Sequence, residues 1–594
     1  MKIIELVRSI LPEGTERRFA VIRDGEVAFG NDSDVVSWDL CPAWPPDLFA
    51  VAATLVERTS CYTLAGPDPD ASKLAEHIAY VDEVEQLASQ WTRVSTVPDG
   101  IASLWTRLIT EAAEDDISSV CDNAAVVDLL IRLFAIADEA CKGMGWSFVL
   151  DSTSSNDEDE IKIADLVRAS FLRDSTSEVG LSLPYVPLSL CSLVPMDVAI
   201  VFPKSMTAAV GCTVRSLSHH LALLPGSTQI EPSWRMADRN STPDTKKPEL
   251  MRLLVIPYPF NIPDESFYLS REPLKLRDCL FTAAFFGLEQ AWLSADAAQV
   301  TAEKIVDDLI RPLLLKARQQ SRGESIDGVL FPECALSAKL GTEVAKLLVG
   351  EGIEFFITGA LGEDEEGKSR NIAQTHVVVR AANGDTGLVT DEQSKHHRWR
   401  LDDAQVNRYA LTFPDLATAS HGKHASQWWE DIDITHRNLP FYALRQDMSL
   451  AVLICEDLAR NDPAMTVIRA VGPNLVVALL MDGPQLGVRW PARYATVLAD
   501  DPGSSVLSIT CAAMVDRSNW RESRPVRSIG LWRDAKGYVQ ELNLPVGSHG
   551  LLLTLNTEKD TQHTLDNRSD RESTRRLTLK SVIPLALDTG ADWL

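Results

Sequence analysis

The chain has 594 residues, too many for one hydrophobic core, so two or three domains are expected. Hydrophobic residues make up 45% of it and charged residues 24%, ordinary values for a soluble globular protein. A net charge of −27, from 57 basic and 84 acidic residues, argues against nonspecific binding to nucleic acid or to an anionic membrane.

Ten cysteines are scattered along the chain without a C-x-x-C pair or a Cys/His cluster at zinc spacing. That pattern disfavours a disulfide framework and a structural zinc site. No apolar run approaches the roughly 18 residues a membrane span needs. The first residues, Met1 to Arg8, read as an amphipathic start without a signal-peptide core, so a cytoplasmic location is expected.

Residues 1–150 read as a mostly helical accessory domain. Arg18 to Gly30 predicts a short hairpin about the Asp24-Gly25 turn. Asp70-Ala71-Ser72 predicts a cap for a helix through Ala88, and Ile101 to Ala113 continues the helical pattern. The strongest helix runs from Asn123 to Lys142, where Val126, Leu129, Leu130, Leu133, Phe134 and Ala137 recur on one face. The acidic stretch Asp151 to Glu160 reads as an exposed loop, and residues 151–249 as a linking segment of unknown role. Within it Lys204, Arg215, His219 and His220 could hold a phosphate or nucleotide, or could belong to a capped helix with a solvated face. Asp238 to Pro248 has the composition of a linker.

Beyond residue 250 strands and helices alternate, the pattern of an α/β domain whose functional residues gather at strand C-terminal ends. Met251 to Pro257, Ile326 to Glu333 and Ile353 to Gly359 read as strands, and Ala297 to Gln320 as a long helix. Further strands run through Arg370 to Arg380 and up to Lys395. Ser449 to Ile454 is an apolar run that delivers Cys455 to Glu456-Asp457, which reads as a helix start. A helix N-terminus would favour a thiolate there, although a buried structural cysteine fits the same pattern. Glu333 alone reads equally as a surface carboxylate, and Lys395 in Lys395-His396-His397-Arg398 as a solvated basic run. Adjacent histidines on a strand face opposite sides, so His396 and His397 are poorly placed to chelate one metal.

Taken in order, Phe331-Pro332-Glu333, Asn371 with the strand and turn leading to Lys395, Leu453-Ile454-Cys455-Glu456-Asp457, and the closing Ser528 to Gly537 and Gly550-Leu551-Leu552 resemble the nitrilase, or carbon–nitrogen hydrolase, superfamily. The resemblance covers residues 250–556 and leaves 557–594 as a C-terminal tail. It implies a four-layer α-β-β-α sandwich that pairs into homodimers or larger homo-oligomers. It also implies a Glu333–Lys395–Cys455 triad that hydrolyses a small-molecule amide through a thioester, with no metal or organic cofactor. In that chemistry Glu333 is the base, Cys455 the nucleophile, and Lys395 with the backbone N–H after Cys455 the oxyanion partner.

This sequence departs from the family in three places. A second glutamate that helps position the lysine is expected shortly after it, but Gln405 stands there; Asp402, Asp403 or Glu430 are the candidates for its role. Glu456 and Asp457 are further supporting candidates. Pro414 to Ile434, with His421, His424, Trp428 and Trp429, lengthens the Lys395-to-Cys455 interval, and Phe260 to Trp292 is a second insertion. Two rival readings remain: a nucleotide- or cofactor-directed hydrolase whose residues 1–249 sense a nucleotide or protein partner, and a catalytically weak nitrilase-like scaffold.

Overall fold

The computed structural model describes residues 1–13, 38–91, 97–146, 189–207, 211–226, 229–236, 250–271, 283–295, 298–380, 386–411, 427–445, 448–571, 574–588 and 593–594, together with strand backbone at 21–23, 26–28 and 185–186. The chain is mixed α/β. Two eight-stranded sheets form its centre.

In the first sheet Leu250–Val255, Gly328–Leu330 and Phe355–Glu363 lie parallel at the centre. Ser369–Arg380 and Thr386–Ser394 extend one side antiparallel, and Gly550–Asp560 and Thr574–Leu585 the other. In the second, Met448–Ile454, Leu475–Leu480 and Ser505–Thr510 are parallel and buried, and burial on both faces is why Leu450 to Ile454 is an unbroken apolar run. Asn438–Arg445 pairs antiparallel with Met448–Ile454, and Glu231–Met236 pairs parallel with Asn438–Arg445. The sheet therefore reaches upstream of residue 250, into the segment read from sequence as a linker.

A second difference lies at the C-terminus. Residues 557–594 were expected to form a tail, yet Gly550–Asp560 runs on past 557 and Thr574–Leu585 pairs back along it. Only Thr574, Leu577 and Leu585 of the returning strand are fully buried, and its polar Arg575-Arg576 and Lys580-Ser581 interrupt the apolar residues, so no continuous apolar run marked it.

The N-terminal region carries helices at Ile3–Ile10, Pro45–Thr59, Leu74–Trp91, Asp99–Glu111 and Ala124–Ala140. Asp70 accepts the N–H of Ser72 at 2.9 Å and caps the turn that leads into Leu74–Trp91. Phe134 packs on Phe49 with ring centroids 4.9 Å apart. Two buried carboxylates fasten these helices to the chain between residues 192 and 221. Asp47 accepts the N–H groups of Ser192, Leu193 and Val194, and Asp138 those of His219, His220 and Leu221. The expected hairpin pairs Val21–Arg23 with Glu26–Ala28. The Asp151–Glu160 loop, the Asp238–Pro248 linker and His421 and His424 fall outside the described residues. Among the described residues no helix is long and apolar enough to cross a membrane.

Candidate active site

Three strand ends converge on one buried cluster. Glu333 follows Gly328–Leu330 through Phe331 and Pro332; Lys395 follows Ser394, the last residue of its strand; Cys455 follows Ile454. The Lys395 ammonium lies 2.8 Å from Glu333 Oε1 and 2.7 Å from Glu430 Oε2. Asn371 bridges the two carboxylates, donating from Nδ2 to Glu333 Oε1 at 2.8 Å and to Glu430 Oε1 at 2.9 Å. Its backbone carbonyl also accepts the N–H of Lys395 at 2.8 Å. All of these side chains are buried, and Glu333 Oε2 has no hydrogen-bond partner among the described residues.

Glu430 comes from the Pro414 to Ile434 insertion and is placed by a strand of the other. Gln427–Glu430 pairs parallel with Ala283–Leu288, the two strands forming the middle of a four-stranded sheet completed by Arg400–Asp402 and Phe267–Arg271. The Trp399 N–H donates to Glu430 Oε2 at 2.9 Å, so the strand that holds the glutamate also fixes the chain just beyond Lys395. The other candidates for this position lie elsewhere. Asp402 is exposed and accepts the Gln405 N–H at 2.8 Å, while the Gln405 side chain accepts the Asp402 N–H, a reciprocal helix cap for Asp403–Arg408. Asp403 is exposed on the same turn.

The backbone around the cluster is constrained. Cys455 adopts φ +46° and Cys334, next to Glu333, φ +55°, left-handed conformations that cost a non-glycine residue about 1–2 kcal/mol. Gly359 passes so close to Glu333 that an added Cβ would sit 2.4 Å from its Cα. Only glycine fits there.

Electrostatics follow from burial. Burial pushes the Glu333 carboxyl above the usual carboxylate range; Lys395 pulls it back and Glu430 pushes it further up. Burial opposes the charge on Lys395, but Glu333, Glu430 and Cys455 hold its pKa well above the lysine range. The Cys455 thiol is pushed well up by burial and by Glu333, and Lys395 offsets only part of this. The strand-to-helix pattern in the sequence predicts a helix dipole that favours a thiolate here. The turn Cys455–Ala459 is a single short 3₁₀ turn, too brief for a sizeable dipole, and the environment favours the thiol.

Asp457 is buried and accepts the His396 N–H at 3.1 Å on each oxygen, joining the residue after Lys395 to the turn after Cys455. Burial raises its pKa to about 7. Glu456 instead pairs with Arg460 at 2.5 Å. His396 Nε2 bonds the Asn438 carbonyl and His397 Nε2 that of Asp462. Among the described residues no group of three or more His, Cys, Asp or Glu is arranged to hold a metal ion. Asp482, which sequence reasoning passed over, lies just past the Leu475–Leu480 strand beside Cys455 and takes donors from Tyr409, Arg489 and Trp490.

No family model matches the sequence, and no curated protein matches it. Solved structures similar to this chain include Nit3 of Saccharomyces cerevisiae, a member of branch 10 of the nitrilase superfamily, with 13% identity over 49% of this chain and 84% of that one and a TM-score of 0.26. A glutamine-dependent NAD+ synthetase from Acinetobacter baumannii has 12% identity over 57% of this chain and 48% of that one, with a TM-score of 0.29. A carbon–nitrogen hydrolase from Helicobacter pylori has 9% identity over 57% of this chain and 90% of that one, with a TM-score of 0.25. These neighbours are nitrilase-superfamily or carbon–nitrogen hydrolase members and match about half of this chain; the match spans about half the length of the NAD+ synthetase.

Proposed function

We propose that the chain is a carbon–nitrogen hydrolase that cleaves a small-molecule amide through a thioester on Cys455, within a four-layer α-β-β-α arrangement of its two sheets. The observation that carries this reading is the buried Lys395 ammonium held between two carboxylates beside a strand-end cysteine. A lysine so held is a fixed cation aimed by its partners, the element an oxyanion needs.

The proton inventory supports the same chemistry. Cys455 rests as a thiol, so attack requires a base, and Glu333 Oε2 is the oxygen left without a partner. Sulfur attacks the amide carbon as Glu333 takes the thiol proton. Lys395 and the Glu456 N–H stabilise the oxyanion. Collapse breaks the C–N bond, and the Glu333 proton leaves on ammonia. Water then attacks the thioester, giving one proton to Glu333, which returns it to the departing sulfur. Glu430 holds Lys395 through both steps and fills the role for which Gln405 stood in sequence. On this reading a second glutamate is supplied, which favours the enzyme over the catalytically weak nitrilase-like scaffold.

Ammonia release from a panel of small amides tests the proposal. Wild type should release ammonia from at least one amide that Cys455→Ala leaves intact. Equal inertness of the two proteins across amides, nitriles and nucleotide cofactors would remove the enzyme reading.

A further inference from the structure

Away from this cluster, the structure has a recess where three stretches distant in sequence meet, lined by residues of 204–207 and 216–219 and by 562–564 with Thr574. Lys204, Thr207, Ser216, His219, His563 and Thr574 are among its walls. Counting its open mouth it holds about 250 Å³ of empty space, and its closed part is about the size of a single water, so an ion seated there would place one oxygen inside and the rest in the mouth.

Lys204 is 4% exposed. Its ammonium donates to two backbone carbonyls, Arg215 O at 2.6 Å and Ser218 O, and among the described residues no ion pair joins it to a carboxylate. The acids nearby are committed elsewhere: Asp138 and Glu139 both pair with Arg568. A second cation, Arg215, donates to Thr207 Oγ1 and leaves its Nε unpartnered among the described residues. Thr207 accepts that bond, which leaves its own O–H to donate. A buried ammonium beside a guanidinium, with one N–H to spare and no counter-charge in contact, is an incomplete arrangement. Burial and the neighbouring Arg215 depress the Lys204 pKa, and an anion would restore its charge.

We propose that this recess binds a compact oxyanion, either free inorganic phosphate or the terminal phosphoryl group of a larger ligand, with Lys204 as its cation and Thr207 as a hydroxyl donor. The site is separate from the cysteine cluster. Ser205 Oγ lies 2.5 Å from Ser449 Oγ, at the start of the strand that ends at Cys455, roughly 20 Å away at 3.3 Å per residue. Asn474, whose Oδ1 accepts the Ser449 N–H, donates to both Met206 O and Arg575 O, so the chain on either side of the recess is tied to the start of that strand.

The test is calorimetric titration of the full chain with inorganic phosphate and, separately, with ADP, at ionic strength held constant with sodium chloride. A single saturable site is expected, with a matching rise in Tm. Lys204→Met should weaken binding at least about tenfold, the loss of one charge-assisted contact. His563→Glu, an exposed change at the mouth, should weaken it several-fold through repulsion, and it decides the matter if Lys204→Met does not fold. Binding of phosphate without ADP assigns the recess to the free ion. ADP binding that is sensitive to His563→Glu assigns it to a phosphoryl group on a larger ligand. No saturable binding of either ligand, or equal affinity in wild type and His563→Glu, overturns the proposal.

Discussion

Glu430→Gln tests the cluster at its most exacting point. Glu430 Oε2 accepts from both Lys395 and the Trp399 N–H, and Oε1 accepts from Asn371. A glutamine keeps one acceptor oxygen and sets an NH₂ group against a donor at the other position. If the NH₂ faces Asn371, relief requires that amide to flip, which withdraws its Nδ2 from Glu333. If it faces Lys395, it sets a donor against the ammonium and the Trp399 N–H, and in either orientation the ammonium loses one of its two counter-charges. Breaking a buried pair by removing one partner costs about 3–5 kcal/mol, and the remaining Glu333 contact places this change near the lower end. At an m value of about 3 kcal/mol/M that is a fall of roughly 1 M in the urea midpoint. A misplaced lysine weakens one oxyanion donor, so kcat should fall about 10²-fold with KM little changed, measured on whichever amide wild type turns over. A variant within about 0.2 M of the wild-type midpoint and with unchanged kcat would refute the view that Glu430 holds Lys395.

Three further changes probe the surroundings. Asp457 titrates near 7 in the fold against 3.8 for an ordinary aspartate, so its contribution to stability is full below about pH 4 and is lost as pH rises through 7. That amounts to about 4 kcal/mol, or roughly 1.3 M in urea midpoint at the same m value, and Asp457→Asn should remove a pH dependence of that size between pH 4 and 8. Gly359→Ala puts a Cβ 2.4 Å from Glu333 Cα and 2.5 Å from Pro332 O, backbone that yields little; activity should drop more than about tenfold with a stability loss of about 1–3 kcal/mol by urea titration. Asp402→Ala, by contrast, removes only a helix cap and should cost about 1 kcal/mol in the same titration while leaving kcat unchanged.

Much of the cluster was legible because Glu333 and Cys455 each follow a buried strand, where an apolar run stops at a polar or reactive side chain. Lys395 follows a largely polar, half-exposed strand and was placed only by its order between the other two. Glu430 carries no such local signature, since it is placed by the pairing of Gln427–Glu430 with Ala283–Leu288, two insertions more than 130 residues apart whose register no local pattern specifies. Gln405 misled for the opposite reason: its spacing from Lys395 suited a catalytic partner, while its side chain serves the local cap with Asp402. The reach of the second sheet to Glu231–Met236 was hidden by Pro232 and by charges unusual in a central strand. Among the described residues the only partner on its far side is the two-residue strand Tyr185–Val186, paired with Arg235 and Trp234, so Pro232 has no ladder bond to give there.

The central claim is that Cys455 forms a thioester at the expense of an amide. It is tested most directly by acid-quenching the protein during turnover of an amide it hydrolyses and mapping the adduct by peptide mass spectrometry. An acyl group, the substrate less ammonia, is predicted on the Cys455 peptide, accumulating with time and absent from Cys455→Ala. Ammonia release undiminished in Cys455→Ala, or an adduct carried instead by Cys334 or Cys511, would contradict it.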